Sequence, residues 1–151
     1  LAFQNVDFMQ ENAELLADYQ LRGAFFLTAE EILAEPALVR DLYAQGHILG
    51  VTFEKGSTDC ASAFGEANDA LDEVLGLRTL LALVPEGADA SAVQGYCIFE
   101  AENMLVSVEN AAEHPENPHI LLCSGNAAQS LSTLYAAKAN IRILRETTAL
   151  S

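Results

Sequence analysis

Several side chains that can do chemistry follow the apolar runs of this sequence. They are Asp7, Glu54, Asp59, Glu86, Glu100, Glu102, Asn103 and Cys123. Carboxylates gathered at one place would bind a hard cation such as calcium or magnesium. A pair such as Glu54 and Glu86, at a suitable separation, would instead act as acid and base on a glycosidic bond. Because the spacing is loose and the chain holds 22 Asp and Glu residues, solvated loop acids are the simpler interpretation.

Cys123, followed by Ser124, indicates a second chemistry, because a cysteine needs only a nearby base to become a nucleophilic thiolate. No histidine is placed to act as that base. His47 begins an apolar run, while His114 and His119 flank a polar, Pro-containing connection. The three cysteines form no CxxC pair, so the sequence predicts neither a disulfide framework nor a zinc knuckle.

The charge of the chain excludes two classes of partner. Seven Lys and Arg against 22 Asp and Glu give a net charge of −15. Such a surface repels phosphate backbones and anionic lipid headgroups, so we expect no nucleic-acid partner. No apolar stretch is long enough to span a bilayer, so we also expect no membrane insertion within this segment.

The elements that position these side chains alternate along the chain. Apolar runs predict strands, and they are LAF, GAFFL, HILGVTF, TLLALVP, GYCIFEAE, HILLCSG and IRILRE. Helical patterns lie between them, at 7–20, 29–45, 61–76 and 127–140. Thr28 with Glu31 predicts a capping box, and Pro36 predicts the start of a second helix within 29–45.

Strands that alternate with helices predict βαβ units and a parallel sheet, which is the α/β class. One domain over 1–151 accommodates them. The chain begins without Met, and we expect it to be excised from a longer protein. The pattern leaves two architectures open: a small, incomplete (β/α) barrel and an open doubly wound sheet. In a barrel, the carboxyl ends of the strands carry the site.

The stretch 21–50 resembles the polysaccharide deacetylase family, the NodB-homology domain of carbohydrate esterase family 4. That family has a strand of the type Ala-Thr-Phe-Phe, a helix with Pro-Glu-Leu-Val, and then Gly-His-Glu-Ile-Gly. The matching residues, in the same order, are Ala24, Phe25, Phe26, Pro36, Leu38, Val39, Gly46, His47, Leu49 and Gly50. The resemblance implies a small distorted (β/α)7 barrel. It also implies a metal-dependent hydrolase that removes acetyl groups from sugar polymers, using zinc or another divalent cation.

The chain departs from the family where the family does its chemistry. The motif Thr-Phe-Asp-Asp-Gly, with the general base and a metal ligand, aligns with Gln4 and Asn5. An amide does not take a proton from water and is a poor zinc ligand. Thr52 and Gly56 align with the two metal-binding histidines. At two further positions, Leu83 replaces the family arginine and Cys123 replaces the late histidine.

These departures favour a non-catalytic member of the family, with no bound metal or cofactor. It would bind a cell-wall or other polysaccharide, or a protein, as an extracytoplasmic domain of a bacterial cell-envelope protein. The alternative is a carbohydrate-active hydrolase with a rebuilt acidic or cysteine site. The residues expected to line the cleft are Asp7, Thr52, Glu54, Gly56, Glu86, Glu100, Glu102, Asn103 and Ser124.

Overall fold

A computed structural model describes residues 1–54, 59–91, 93–101, 104 and 120–136. The strands are β1 (Ala2–Phe3), β2 (Ala24–Leu27), β3 (Ile48–Val51), β4 (Leu81–Val84), β5 (Cys97–Glu100) and β6 (Leu122–Cys123). The helices are α1 (Met9–Asp18), α2 (Ala29–Ala34), α3 (Pro36–Ala44), α4 (Cys60–Leu75) and α5 (Ala128–Ala136), with a 3-10 turn at Val6–Phe8. The last predicted strand, IRILRE, and the connection 111–119 lie outside the described residues.

All six strands pair in parallel, in the order β5-β4-β3-β2-β1-β6, and the sheet curls into a half barrel. Phe3 of β1 is aligned with Phe25 of β2 on one side and with Cys123 of β6 on the other. From β1 to β5 each crossover moves the chain one strand further in the same direction. The α/β class and the barrel type that the sequence predicted are thereby confirmed.

The two faces of the sheet bury different cores, because successive side chains of a strand point to opposite faces. Phe25 and Leu27 of β2 pack in a cluster with buried residues of the helices, such as Leu16 and Leu42. Ala24 and Phe26 face the other way, into a cluster that the described helices do not enter. Helices that cover one face only are what a barrel requires, whereas a doubly wound sheet carries helices on both.

Local signals in the sequence set the helix boundaries. Thr28 caps α2: its Oγ1 accepts a hydrogen bond from Glu31 N at 3.2 Å, and Glu31 Oε1 accepts one from Thr28 N at 2.9 Å. Pro36 begins α3 in its first turn, where the missing N–H costs nothing. Gly76 ends α4 with φ of 69°, a left-handed conformation that favours glycine. The capping box and both boundaries are therefore confirmed.

The Gly-His-x-x-Gly match has a structural explanation in this chain. Gly46 has φ of 85° after α3. His47 is buried, and its Nδ1 accepts a hydrogen bond from Gly23 N at 3.1 Å. A Cβ on Gly50 would lie 2.5 Å from the ring of Phe26, so the ring packs directly on bare backbone. These residues position β3 against β2.

Candidate functional site

The predicted site residues gather at the carboxyl ends of the strands, an edge that we call the mouth. Because all strands are parallel, the loops that follow them emerge at this one edge. The strand-end or loop residues described there are Gln4, Asn5, Asp7, Thr52, Glu54, Glu86, Glu100, Cys123 and Ser124. Three other predicted cleft residues, Gly56, Glu102 and Asn103, lie outside the described residues.

At the β1–β6 side of the mouth lies a hydrogen-bonded network of amides and a serine. Gln4 Nε2 donates to Ser124 Oγ at 2.6 Å, and Asn5 Nδ2 donates to the Ser124 carbonyl at 3.0 Å. Asn5 Oδ1 in turn accepts a hydrogen bond from Asp7 N at 3.3 Å. Gln4 and Asn5, which the sequence analysis aligned with the two family aspartates, therefore join the loop after β1 to the loop after β6.

Asn5 also has an uncommon backbone conformation, with φ of 73° and ψ of 97°. A non-glycine residue with positive φ stores strain that its surroundings must hold, and such residues cluster at functional sites. Here the restraint is visible on both sides. Gln4 N donates to the Cys123 carbonyl at 3.0 Å, and Val6 N donates to Glu31 Oε2 at 2.9 Å.

Two side chains hold the mouth loops from below. Asn12 of α1 is fully buried. Its Nδ2 donates to the Gly125 carbonyl and its Oδ1 accepts from Ala127 N, both at 2.9 Å. Glu31 bridges the N–H groups of Val6 and Thr28, each at 2.9 Å. Asn12 thus fixes the loop after β6, and Glu31 fixes the loop after β1.

The sequence interpretation missed Asn12 and gave Glu31 only its capping role. For Asn12 a signal was present, since the buried residues of α1 are Met9, Asn12, Ala13 and Leu16. An amide at the second position of this helical stripe lies where an apolar residue belongs. A buried amide needs hydrogen-bond partners, which indicates a contact with another segment.

Thr52 and Leu83 are turned away from solvent. Thr52 is 5% exposed, and its Oγ1 donates to the Leu83 carbonyl at 2.9 Å. The Leu83 side chain is fully buried in the cluster that contains Ala24 and Phe26. Thr52 therefore helps to fasten β3 to β4, and its hydroxyl hydrogen is not offered to a ligand in this arrangement.

The surroundings of Cys123 favour the protonated form of its thiol, which is the less reactive form. Burial raises the pKa of the Cys123 thiol, which lowers the fraction present as thiolate. The one histidine among the described residues, His47, precedes β3 and so lies at the opposite edge of the sheet. Burial, together with the nearby Arg22 guanidinium, lowers the pKa of His47.

Among the described residues, the donors at the family-aligned positions of the mouth do not fit a catalytic zinc ion. Zinc takes thiolate, imidazole or carboxylate ligands and keeps one position open for water. At the aligned positions described here, Gln4 and Asn5 offer amides engaged with Ser124, and Thr52 offers a hydroxyl engaged with a carbonyl. Within the described residues, no three or more His, Cys, Asp or Glu side chains are close enough together to hold a metal ion.

Comparison with known structures defines the class of fold. The chain superposes on a T48 deacetylase with substrate (TM-score 0.75, 14% identity, 99% of this chain and 89% of that one). It also superposes on peptidoglycan deacetylase PdaC from Bacillus subtilis (TM-score 0.73, 11% identity, 99% and 89%). A third similar structure is a mutant of BA3943, described as a CE4 family pseudoenzyme (TM-score 0.69, 10% identity, 99% and 66%).

Protein-family models and curated protein sequences give no match. The structural likeness, at 10–14% identity, is one of fold, and at that level it confirms the resemblance carried by residues 21–50. The fold is that of the polysaccharide deacetylases, which include both enzymes and a pseudoenzyme. None of the described helices is both long and apolar enough to cross a bilayer.

Proposed function

We propose that this chain is a polysaccharide deacetylase-like domain that binds glycan without hydrolysing it. The observation that carries the proposal is the network at the mouth, where Gln4 and Asn5 hydrogen-bond to Ser124. In the family these two positions hold the general base and a metal ligand. An amide at either position cannot act as the general base, because it takes up no proton near neutral pH, and it is a poor ligand for zinc.

The chemistry of the mouth suits sugar hydroxyl and acetamido groups. Primary amides offer both donors and acceptors, and carboxylates such as Asp7 and Glu54 accept from hydroxyls. Asn5, Asp7, Glu54 and Ser124 are exposed there. Two structural neighbours are peptidoglycan and polysaccharide deacetylases, which makes N-acetylglucosamine polymers the first ligands to test. A cell-envelope location outside the cytoplasm follows from the same likeness and belongs to the proposal.

The metal part of the proposal is tested by calorimetric titration. The metal-stripped domain is titrated with zinc and, separately, with calcium. No binding at micromolar metal is expected, because the amides are poor ligands for zinc and the described residues of the mouth include no assembled ligand set. Tight one-to-one binding of either ion would contradict the proposal and support a rebuilt site.

The glycan part is tested with N-acetylglucosamine oligomers and soluble peptidoglycan fragments. Saturable binding is expected, and Asn5→Ala should weaken it by removing exposed polar atoms of the mouth network. Gln10→Ala is the matched control, since Gln10 is an exposed amide on α1 away from the network. Absence of saturable binding to any of these glycans would remove the glycan version and leave a protein partner as the form to pursue.

The alternative function is a hydrolase that uses the acidic rim or Cys123. It predicts turnover of an acetylated or glycosidic oligosaccharide that disappears with a single substitution, Glu86→Gln or Cys123→Ala. The raised pKa of Cys123 makes the cysteine version the weaker of the two. Turnover that survives both substitutions, or no turnover at all, would argue against this alternative.

A further inference from the structure

A groove opens at the edge of the sheet opposite the mouth, where β2 and β3 begin. It encloses about 340 Å³, and its lining residues are Ala17, Gln20, Leu21, Arg22, Gln45 and His47. We call it the amino-end groove. The described lining contains no carboxylate, although the chain as a whole has 22 Asp and Glu residues. Its polar groups are one guanidinium, one imidazole and two primary amides.

The positive charge in this groove is not neutralised by the described residues. Within that part of the chain, Arg22 forms neither a hydrogen bond nor an ion pair, whereas Arg78 pairs with Asp69 at 2.8 Å. Arg22 lies against Gly46: a Cβ there would come within 3.0 Å of Arg22 Nε. Because Gly46 has no side chain, the Arg22 guanidinium can lie against its backbone at the groove.

His47 presents a donor to the same groove. Its Nδ1 accepts the hydrogen bond from Gly23 N, so in the neutral ring the proton sits on Nε2. No buried side-chain nitrogen or oxygen among the described residues lacks a partner, so Nε2 is not sealed in the core. His47 lines the groove, and Nε2–H is its remaining polar group there.

A purely structural role for Arg22 would be to neutralise the carboxyl-terminal ends of α1 and α3, which end beside it. Three of the carbonyls there have the following backbone partners. Gln20 N donates to the Ala17 carbonyl at 3.0 Å and Leu21 N to that of Leu16 at 2.8 Å. After α3, Gly46 N donates to the Tyr43 carbonyl at 3.0 Å. Within the described residues Arg22 donates a hydrogen bond to none of the helix-end carbonyls, so its N–H groups remain available to a ligand.

We propose that the amino-end groove binds an oxyanion, a carboxylate or a phosphate, between Arg22 and His47. The planar guanidinium offers two parallel N–H donors that match two oxygens of such a group. His47 Nε2–H supplies a third donor from the side. Gln20 and Gln45 contribute amides at the rim. This site is independent of the mouth, which lies at the other end of the strands.

The test is a titration of the isotopically labelled protein with sodium phosphate and with sodium acetate, followed by amide and imidazole chemical shifts at constant ionic strength. Saturable shifts are expected at Gly23, Gly46 and His47. Arg22→Gln should weaken binding by about tenfold or more, because hydrogen bonds to a charged group are lost. The tighter of the two anions identifies which group the site prefers.

Arg40→Gln is the matched control, since Arg40 is an exposed arginine on α3 outside the groove lining. Both variants remove one positive charge, so a general charge effect would change them equally. Binding retained in Arg40→Gln and lost in Arg22→Gln supports the site. Equal weakening in the two variants, or shifts that do not saturate in the unsubstituted protein, would overturn it.

Discussion

The two edges of the sheet, the mouth and the amino-end groove, differ in how their polar side chains are hydrogen-bonded. At the mouth, Gln4 and Asn5 each hydrogen-bond to Ser124, which lies 119–120 residues away in the sequence. At the amino-end groove, the main polar contact joins His47 to Gly23, 24 residues apart in the sequence. Arg22 has no hydrogen-bond or ion-pair partner among the described residues. The mouth is held together by long-range bonds, whereas the groove is formed by local turns.

This difference shows how the mouth loops are held in place by side chains of this chain. In a metal enzyme, the ion itself ties together loops from distant parts of the chain. Here the amide network and the Asn12 and Glu31 contacts join loops that are distant in the sequence. We therefore expect that removing a loop contact at the mouth lowers the free energy of unfolding more than a change at the amino end.

Asn12→Ala should produce the largest effect. It leaves the Gly125 carbonyl and the Ala127 N–H without their partner, and each buried unsatisfied group costs about 1–3 kcal/mol. We expect the free energy of unfolding, measured by urea titration, to fall by about 2–4 kcal/mol. Gln10→Ala on the exposed side of α1 is the control and should change it by less than about 0.5 kcal/mol. Equal small losses would break the comparison.

Glu31→Ala should have an intermediate effect. The carboxylate bridges two backbone N–H groups at a partly buried position, so we expect a loss of about 1–2 kcal/mol. Hydrogen exchange should accelerate at Val6 and Thr28 together, because one side chain protects both. The exposed neighbour Glu30→Ala is the control for lost charge. Faster exchange at Thr28 alone would show that Glu31 caps α2 but does not hold the mouth.

Most of the fold could be predicted from the sequence because its signals are local. The apolar runs, the Thr28–Glu31 box, Pro36 and Gly76 each act within a few residues. The choice between barrel and doubly wound sheet could not be made from the pattern. It depends on which face of the sheet the helices cover, and that is a property of the whole chain; the resemblance of residues 21–50 supplied the answer.

The sequence predicted at which edge of the sheet the candidate residues lie, but it did not predict their hydrogen-bond partners. Parallel strands put the candidate residues at one edge, as expected. The bond from Gln4 to Ser124 depends on two loop conformations that no short pattern encodes. Thr52, predicted to line the cleft, donates its hydroxyl hydrogen to the Leu83 carbonyl, a contact between neighbouring strands that no short pattern encodes. Arg22 carried no motif and was not singled out.

The smallest expected effect comes from His47 and sharpens the comparison at the amino end. Burial, aided by Arg22, lowers the pKa of His47 below its ordinary value of 6.5. The unfolded chain then binds the proton more readily than the folded one. The stability contributed by neutral His47 is complete above pH 6.5 and is lost as the pH falls toward the folded-state pKa.

His47→Gln keeps an acceptor for Gly23 N and removes this titration. The free energy of unfolding should therefore fall less in the variant than in the unsubstituted protein between about pH 7.5 and about pH 5.5. Both proteins retain His114 and His119, so the difference isolates His47, and identical slopes would mean that its ring stays as accessible to protons as in the unfolded chain.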